Sequence, residues 1–427
     1  MRHMFIGFVA LLAAAASPAW GQQDKPEKPA NGSADWPQFL GPDRNGISRE
    51  TGLLASWPKE GPREVWRVTG GVGMSGLAVR GGKLYTLVQK DDRQWVVCRD
   101  ATTGARQWET DLAPAYKNQM GDGPRATPAV ADATLYVFTG EGILAALKTA
   151  DGSIAWQKNV VSEFGGKPTD YGMACSPLVI GDRVIITAGA PQATVAAFDR
   201  KSGTIAWTAG KDSPPGYSSP VLLKVGGGEQ LVAFYGTGAF GLDPATGTEL
   251  WGYPYETDFN CNIATPLAID GKIFLSAGEN HGSVLLALKP QGGKKFSAEE
   301  VWASQGSKSV LRNEWQTSIL LDGFLYGFDN VGSAGPVTHL ACVSASTGER
   351  QWQELRFGKG NLIAADGKLF LSTMQGELVV VTATPRRFEE LGRKRVVGKT
   401  RQAPALAGGL LYLRDDREIV CLDVRPE

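Results

Sequence analysis

Histidine and cysteine are scarce in this 427-residue chain: three His and five Cys, with no two cysteines adjacent and no CxxC pair. His3 sits at the N-terminus and only His281 and His339 remain beyond it. That excludes a multi-histidine metal centre, and no zinc-type spacing occurs. Charge of one sign is also lacking, because 44 Lys and Arg balance 44 Asp and Glu. A neutral chain lacks the broad basic surface that nucleic-acid phosphates require, so no nucleic-acid partner is expected. Long apolar runs are few. The longest, residues 4–16, falls short of the ~20 residues of a membrane span, so none is expected. No nucleophile elbow, phosphate loop or EF-hand spacing is present, and neither a catalytic residue nor a metal ligand set is assigned.

That apolar run follows Met1-Arg2-His3 and ends in Ser17-Pro18-Ala19-Trp20-Gly21. A positive start, a short apolar stretch and small residues at the end predict a signal peptide over residues 1–21. Residues 22–34 (QQDKPEKPANGSA) read as a disordered linker. With no Cys at the predicted cleavage site, the expected product is a periplasmic or secreted monomer without a lipid anchor. Residues 35–427 are expected to form a single domain.

What the chain has in excess is glycine, 54 residues, nearly twice the usual ~7%. Self-comparison explains it. Five segments fit small-x-polar-x3-Gly-x3-Trp without a gap: those ending in Trp108, Trp156, Trp207, Trp251 and Trp352. A sixth copy, ending in Trp302, is stretched by residues 289–300 (KPQGGKKFSAEE), expected as a solvated outer loop, as is the insertion at 332–336. Each unit also carries an apolar run opened by Ser/Thr-Pro, an Asp-Gly turn suited to a two-residue hairpin, and a further β-rich run. Four short strands per ~45 residues predict an all-β propeller of four-stranded antiparallel blades.

The chain ends settle the count. Cys421-Leu-Asp423 opens another copy that stops before any Gly or Trp, while Glu64-Val65-Trp66 closes a copy that was never opened. The N-terminal strand is therefore predicted to complete the last blade of an eight-bladed ring. Blade seven is degenerate: Thr382 replaces the Asp, and Gly and Trp are missing. Trp66, Trp108, Trp156, Trp207, Trp251, Trp302 and Trp352 are expected to be packing wedges between blades. Cys98, Cys342 and Cys421 fall at the small position of the repeat and are expected to be core residues. Whether Cys175 and Cys261 meet is open.

The Ala-x-Asp-x3-Gly-x3-Trp pattern, running from about Trp66 to Asp423, resembles the tryptophan-docking motif of the pyrroloquinoline quinone (PQQ)-like repeat β-propellers. The opening DWPQFLGPDRNG at 35–46 resembles the leader of exported members. Two groups share that fold. The quinoprotein dehydrogenases bind PQQ and Ca²⁺, and the propeller lipoprotein of the outer-membrane β-barrel assembly machinery binds partner proteins. The enzyme group's vicinal Cys-Cys is missing here, and no Asp matches its catalytic base. The resemblance therefore implies a cofactor-free binding or scaffolding module for a protein, small molecule or polymer. A PQQ/Ca-dependent dehydrogenase of alcohols or sugars is the alternative.

A site is expected in the funnel at one end of the channel. Aligning the residues that open each blade gives a small column: Gly76, Thr127, Ser176, Ser219, Thr265, Thr317, Asn361 and Ala403. Two residues earlier, on the same face by strand alternation, stand Met74, Arg125, Ala174, Tyr217, Ile263, Trp315, Lys359 and Arg401. Neighbouring loops add Asp122, Tyr171, Asn260, Asn262 and Glu314. The candidate ligand-binding residues are Arg125, Tyr171, Tyr217, Asn260, Asn262, Glu314, Trp315, Lys359 and Arg401. Their cations and aromatics suit an anionic or aromatic ligand. The competing reading has Arg125 and Arg401 neutralised by Asp122 and Glu314. Asp122 or Glu314 would serve as a base or metal ligand only beside a second carboxylate.

Overall fold

Strand formation follows the repeat closely. The computed structural model describes Met1 and residues 35–55, 57–278, 281–306, 309–332 and 337–426. The expected signal peptide and linker fall, past Met1, outside the described residues, as does most of the 332–336 insertion. The rest forms eight four-stranded antiparallel sheets. Blades one to seven span residues 78–114, 129–159, 178–209, 221–254, 267–305, 319–354 and 360–395. Blade eight combines residues 405–423 with Arg63–Thr69. Each blade packs between two neighbours, so its middle strands are buried on both faces. They are buried without alternation, as in KLYTLVQK of Lys83–Lys90 and ATVAAFD of Ala193–Asp199. Outer strands keep the alternation of a half-exposed surface, as in Arg63–Thr69.

The ring closes as the split copy predicts. Trp66 stands opposite Cys421, in the register of Trp108 opposite Cys98 and Trp352 opposite Cys342. Arg414 latches the seam between blades eight and one. Fully buried, its guanidinium donates to the carbonyls of Gly71, Ser75 and Leu87 and to the Thr86 hydroxyl. Burial pulls its pKa down to about 10, so it stays charged at neutral pH.

The Gly and Trp of the repeat act across blades, not within one. Trp66 covers Gly104 of blade one, Trp108 covers Gly152, Trp156 covers Gly203, Trp207 covers Gly247 and Trp302 covers Gly348. A Cβ on any of these glycines would stand 2.5–2.9 Å from the indole, and each has φ near +70°. Only glycine meets both demands. The indole N–H then donates to a carbonyl of the same turn: Ala101, Thr149, Arg200 and Ala345 accept from Trp66, Trp108, Trp156 and Trp302 at 3.0–3.1 Å. Trp251 differs, because residues 289–300 remodel the next blade's turn, and it bonds Gln230 of its own blade. That insertion is mostly strand: it lengthens the hairpin of Gly282–Pro290 and Phe296–Gln305, correcting the outer-loop expectation.

Blade seven shows how a missing wedge is replaced. Its Gly392 pairs with Val380, the register at which other blades carry Trp. A Cβ on Gly392 would lie 2.7 Å from Cβ of Trp57, and the Trp57 ring stands 6.4 Å from Phe370. Corresponding distances in regular blades are 6.0 Å for Trp108–Tyr85 and 6.1 Å for Trp352–Tyr326. The segment before the first strand thus supplies the tryptophan that blade seven lacks. Trp352, whose partner turn has no glycine, donates to the Thr384 carbonyl and packs edge-on against Phe388. All five cysteines are buried free thiols, and Cys98, Cys342 and Cys421 face Tyr85, Tyr326 and Tyr412 across the strands.

Two substitutions test this packing. Trp156→Ala removes a wedge and its hydrogen bond and is expected to cost ~3–5 kcal/mol. Trp57→Ala, partly exposed, is expected to cost ~2–3 kcal/mol. Urea unfolding measures both, and a neutral Trp57→Ala would mean that blade seven stands without a wedge.

Candidate functional site

The channel is closed at one end. Residues 35–48 cross it beneath the first strands of five blades. Trp36 pairs with Val79, the Pro37 carbonyl accepts from Val130 N–H, and Gly46 and Ser48 bond Ala364. Gly46 lies against Ile319. Arg44, buried, donates to the carbonyls of Ser176 and Pro177 at 3.0 Å and to Gln38 at 3.2 Å. Burial holds its pKa down at about 10. These contacts seat Trp36, Phe39 and Leu40 as an apolar floor. Above it lies a cavity of about 330 Å³, within the ~300–1,000 Å³ range of small-molecule sites.

The waist of the cavity is the small column: Gly76, Thr127, Ser176, Ser219, Thr317, Asn361 and Ala403 line it. Convergence explains the small residues, since a Cβ on Gly76 would lie 2.3 Å from Thr127 Oγ1. Hydroxyls stitch one blade to the next: Thr127 N–H donates to Ser176 Oγ, Ser176 N–H to Ser219 Oγ, and Thr265 N–H to Thr317 Oγ1, at 2.9–3.0 Å. The Ser/Thr-Pro motif therefore satisfies backbone donors where strands crowd.

The mouth holds seven residues of the larger column. Met74, Arg125, Ala174, Tyr217, Ile263, Trp315 and Arg401 line the cavity with Tyr171 and Glu314. Arg401 and Lys359 approach the Trp315 ring at 4.8 and 4.4 Å. Tyr171 stacks on Tyr217 at 5.7 Å. Lys359 pairs with Glu314 at 2.7 Å, and Asn330 donates to Glu314 at 2.7 Å. The arginines do not form the expected ion pairs. Arg125 donates to the carbonyls of Tyr171 and Gly121 at 2.5 and 2.7 Å, and Arg401 to that of Met120 at 2.5 Å. Burial lowers both pKa values. Asp122 instead accepts from Asn118 N–H and faces Lys117 at 3.8 Å.

Three expected residues do not line the cavity: Lys359, which meets Glu314 and Trp315 of its wall, and Asn262 and Asn260. Asn262 is fully buried under its loop and donates to the carbonyls of Tyr235 and Tyr255 at 2.7 and 2.9 Å. Asn260 is exposed in a left-handed conformation, its Cβ set over Gly236. Sequence reading missed the floor, and it missed Met120, Phe259, Cys261 and Gln402 at the wall. The apolar residues of the 35–46 leader, otherwise rich in Gly and Pro, were the available signal.

A quinone–calcium centre would need clustered oxygen ligands, carboxylates among them. Among the described residues Glu314 is the one carboxylate lining the cavity, and both its oxygens are engaged by Lys359 and Asn330. Among the described residues, no three His, Cys, Asp or Glu side chains group around a metal-sized space.

Asn262→Ala leaves two buried carbonyls without their donor and is expected to cost ~1–3 kcal/mol while leaving ligand affinity unchanged. Thermal melting and ligand titration of the same variant separate those effects.

The family model described as outer membrane protein assembly factor BamB matches residues 92–354. The BamB protein of Yersinia pestis is 27% identical over 175 residues, 38% of this chain and 41% of that protein. The alignment thus spans less than half the relative's length. Quinohemoprotein alcohol dehydrogenase from Comamonas testosteroni has a TM-score of 0.66 at 16% identity, covering 92% of this chain and 82% of its own. BamB from Moraxella catarrhalis has a TM-score of 0.59 at 14% identity, covering 85% and 99%. At such identities the likeness to solved structures carries the fold alone. The protein is an eight-bladed propeller that belongs to the PQQ-like repeat family described as outer membrane protein assembly factor BamB.

Proposed function

We propose that the protein is an exported, non-catalytic binding module that recognises a small amphipathic anion, or an anionic side chain of a protein partner, at its funnel face. The observation that carries this reading is the floor: Trp36, Phe39 and Leu40 turn a channel into a blind pocket. An apolar floor under a mouth bearing Arg125 and Arg401 suits a ligand with an apolar body and a negative head. The family description supports a place in the bacterial envelope, among outer-membrane assembly proteins. The apolar run at residues 4–16 supports a periplasmic or secreted protein.

The test uses anilinonaphthalene sulfonate, an aromatic anion, as fluorescent probe. Saturable binding is expected, weakened roughly tenfold by Arg401→Gln and abolished by Ala174→Trp, which fills the cavity. Binding unaffected by both variants at unchanged melting temperature would overturn the funnel reading. PQQ with and without Ca²⁺ forms the second arm, and saturable binding that requires both would establish the quinoprotein alternative.

A further inference from the structure

The chain is neutral as a whole, but residues 385–401 (PRRFEELGRKRVVGKTR) carry seven Lys and Arg against two Glu. They run up the rim of blade seven, from the turn bearing Arg386 and Arg387, along the outer strand Glu390–Arg395, to Lys399 beside the funnel and Arg401 at its mouth. Arg386, Arg387, Arg393, Lys394, Arg395 and Lys399 are exposed. Arg393 pairs with Glu377 and Glu390, and Arg387 with Glu389. Arg386, Lys394, Arg395 and Lys399 have no carboxylate within 4.0 Å among the described residues. No other outer strand has more than two basic residues: Arg63–Thr69 has two, and Arg106–Pro114, Ile154–Asn159 and Arg350–Glu354 have one each.

A single charge on an edge strand is an ordinary guard against self-pairing. Four cations lacking acidic partners, clustered on one edge of a neutral protein, go beyond that. Among the described residues the strand pairs on one side only, with Glu377–Thr382; residues 57–61 lie over one of its faces, and no backbone hydrogen bond is made to its outer edge. Cations flank that edge on both faces. Lys394 leans toward residues 60–61, and Arg393 lies over the Phe357 ring at 5.3 Å. We infer that the rim of blade seven docks an acidic, extended polypeptide segment, which adds to the sheet as a fifth strand. Backbone pairing gives the partner its direction and register, and the flanking cations select acidic side chains. A polypeptide fits better than a lipid surface because only a peptide backbone can pair with the open edge.

The experiment measures anisotropy of a fluorescein-labelled alternating glutamate–valine octapeptide with the purified protein. A triple variant, R386Q/R395Q/K399Q, removes cations whose side chains make no ion pair, and its melting temperature reports folding. Saturable binding is expected, weakened at least ~10-fold in the triple variant and falling as salt rises from about 0.05 to 0.3 M. The same peptide N-methylated on alternate residues keeps its charge but cannot pair as a strand, and it should bind at least ~10-fold more weakly. Equal affinity of the methylated peptide, indifference to the triple variant, or binding of phosphatidylglycerol vesicles with none of the peptide would each overturn the proposal. The anilinonaphthalene sulfonate titration is unaffected by these outcomes, so the rim and the funnel stand or fall separately.

Discussion

An indole seated on a glycine of the next blade is the contact on which the ring depends. A four-stranded blade has two apolar faces and cannot bury either alone, so each blade is stable only when clamped between neighbours. The clamp is set by the Trp of one outer strand and the positive-φ Gly of the next blade's turn, as with Trp156 over Gly203. Its demands are local and repeat in sequence, which is why the motif recurs as a unit although its two residues serve different interfaces. Five of the eight interfaces carry this clamp, including that between blades eight and one, where Trp66 covers Gly104. The cut within blade eight is closed by pairing Trp66 with Cys421, and the buried Arg414 ties that blade to blade one.

The N-terminal segment serves three ends within about 35 residues. Trp36, Phe39 and Leu40 floor the cavity, Trp57 wedges blade seven, and Arg63–Thr69 closes blade eight. Between them, Leu53 N–H donates to Asp366 and Leu54 N–H to the Val424 carbonyl, so the segment is tied to blades seven and eight along its length. Seating the floor and closing the ring therefore draw on one continuous piece of chain. A ligand that presses on the floor is coupled to the least regular part of the ring, since binding to the folded state stabilises whatever must be in place to bind.

Period and spacing made the ring legible, because the blade repeats a geometric requirement and the requirement is written in residue type. The channel columns were legible for the same reason: strand alternation places Arg125, Tyr217, Trp315 and Arg401 at one depth. Loops obey no such period. Asn262 sits next to the expected face, yet its amide is turned inward to hold the carbonyls of Tyr235 and Tyr255. No pattern distinguishes that from an amide aimed at a ligand. Trp57 was equally illegible, because it lies before the first repeat copy and its partner Gly392 is more than three hundred residues away. The floor was hidden too, since a short segment rich in Gly and Pro has no strand period, and its contacts to five blades are long-range.

The buried cations divide by the way their charge is met, and the division bears on the site. Arg312 and Asp329 form a closed pair at 2.6 Å, both almost fully buried, and such a pair has no call on a ligand. Arg44 and Arg414 spread their donors over carbonyls in the interior. Arg125 and Arg401 are also bonded to carbonyls, but they border an open cavity. A carbonyl satisfies an N–H without neutralising the charge behind it, and acidic groups act on these two guanidinium groups, Asp122 on Arg125 and Asp416 and Glu314 on Arg401, without forming an ion pair. An anion entering the funnel would supply the countercharge at little cost in rearrangement, because the guanidinium groups are already held in place.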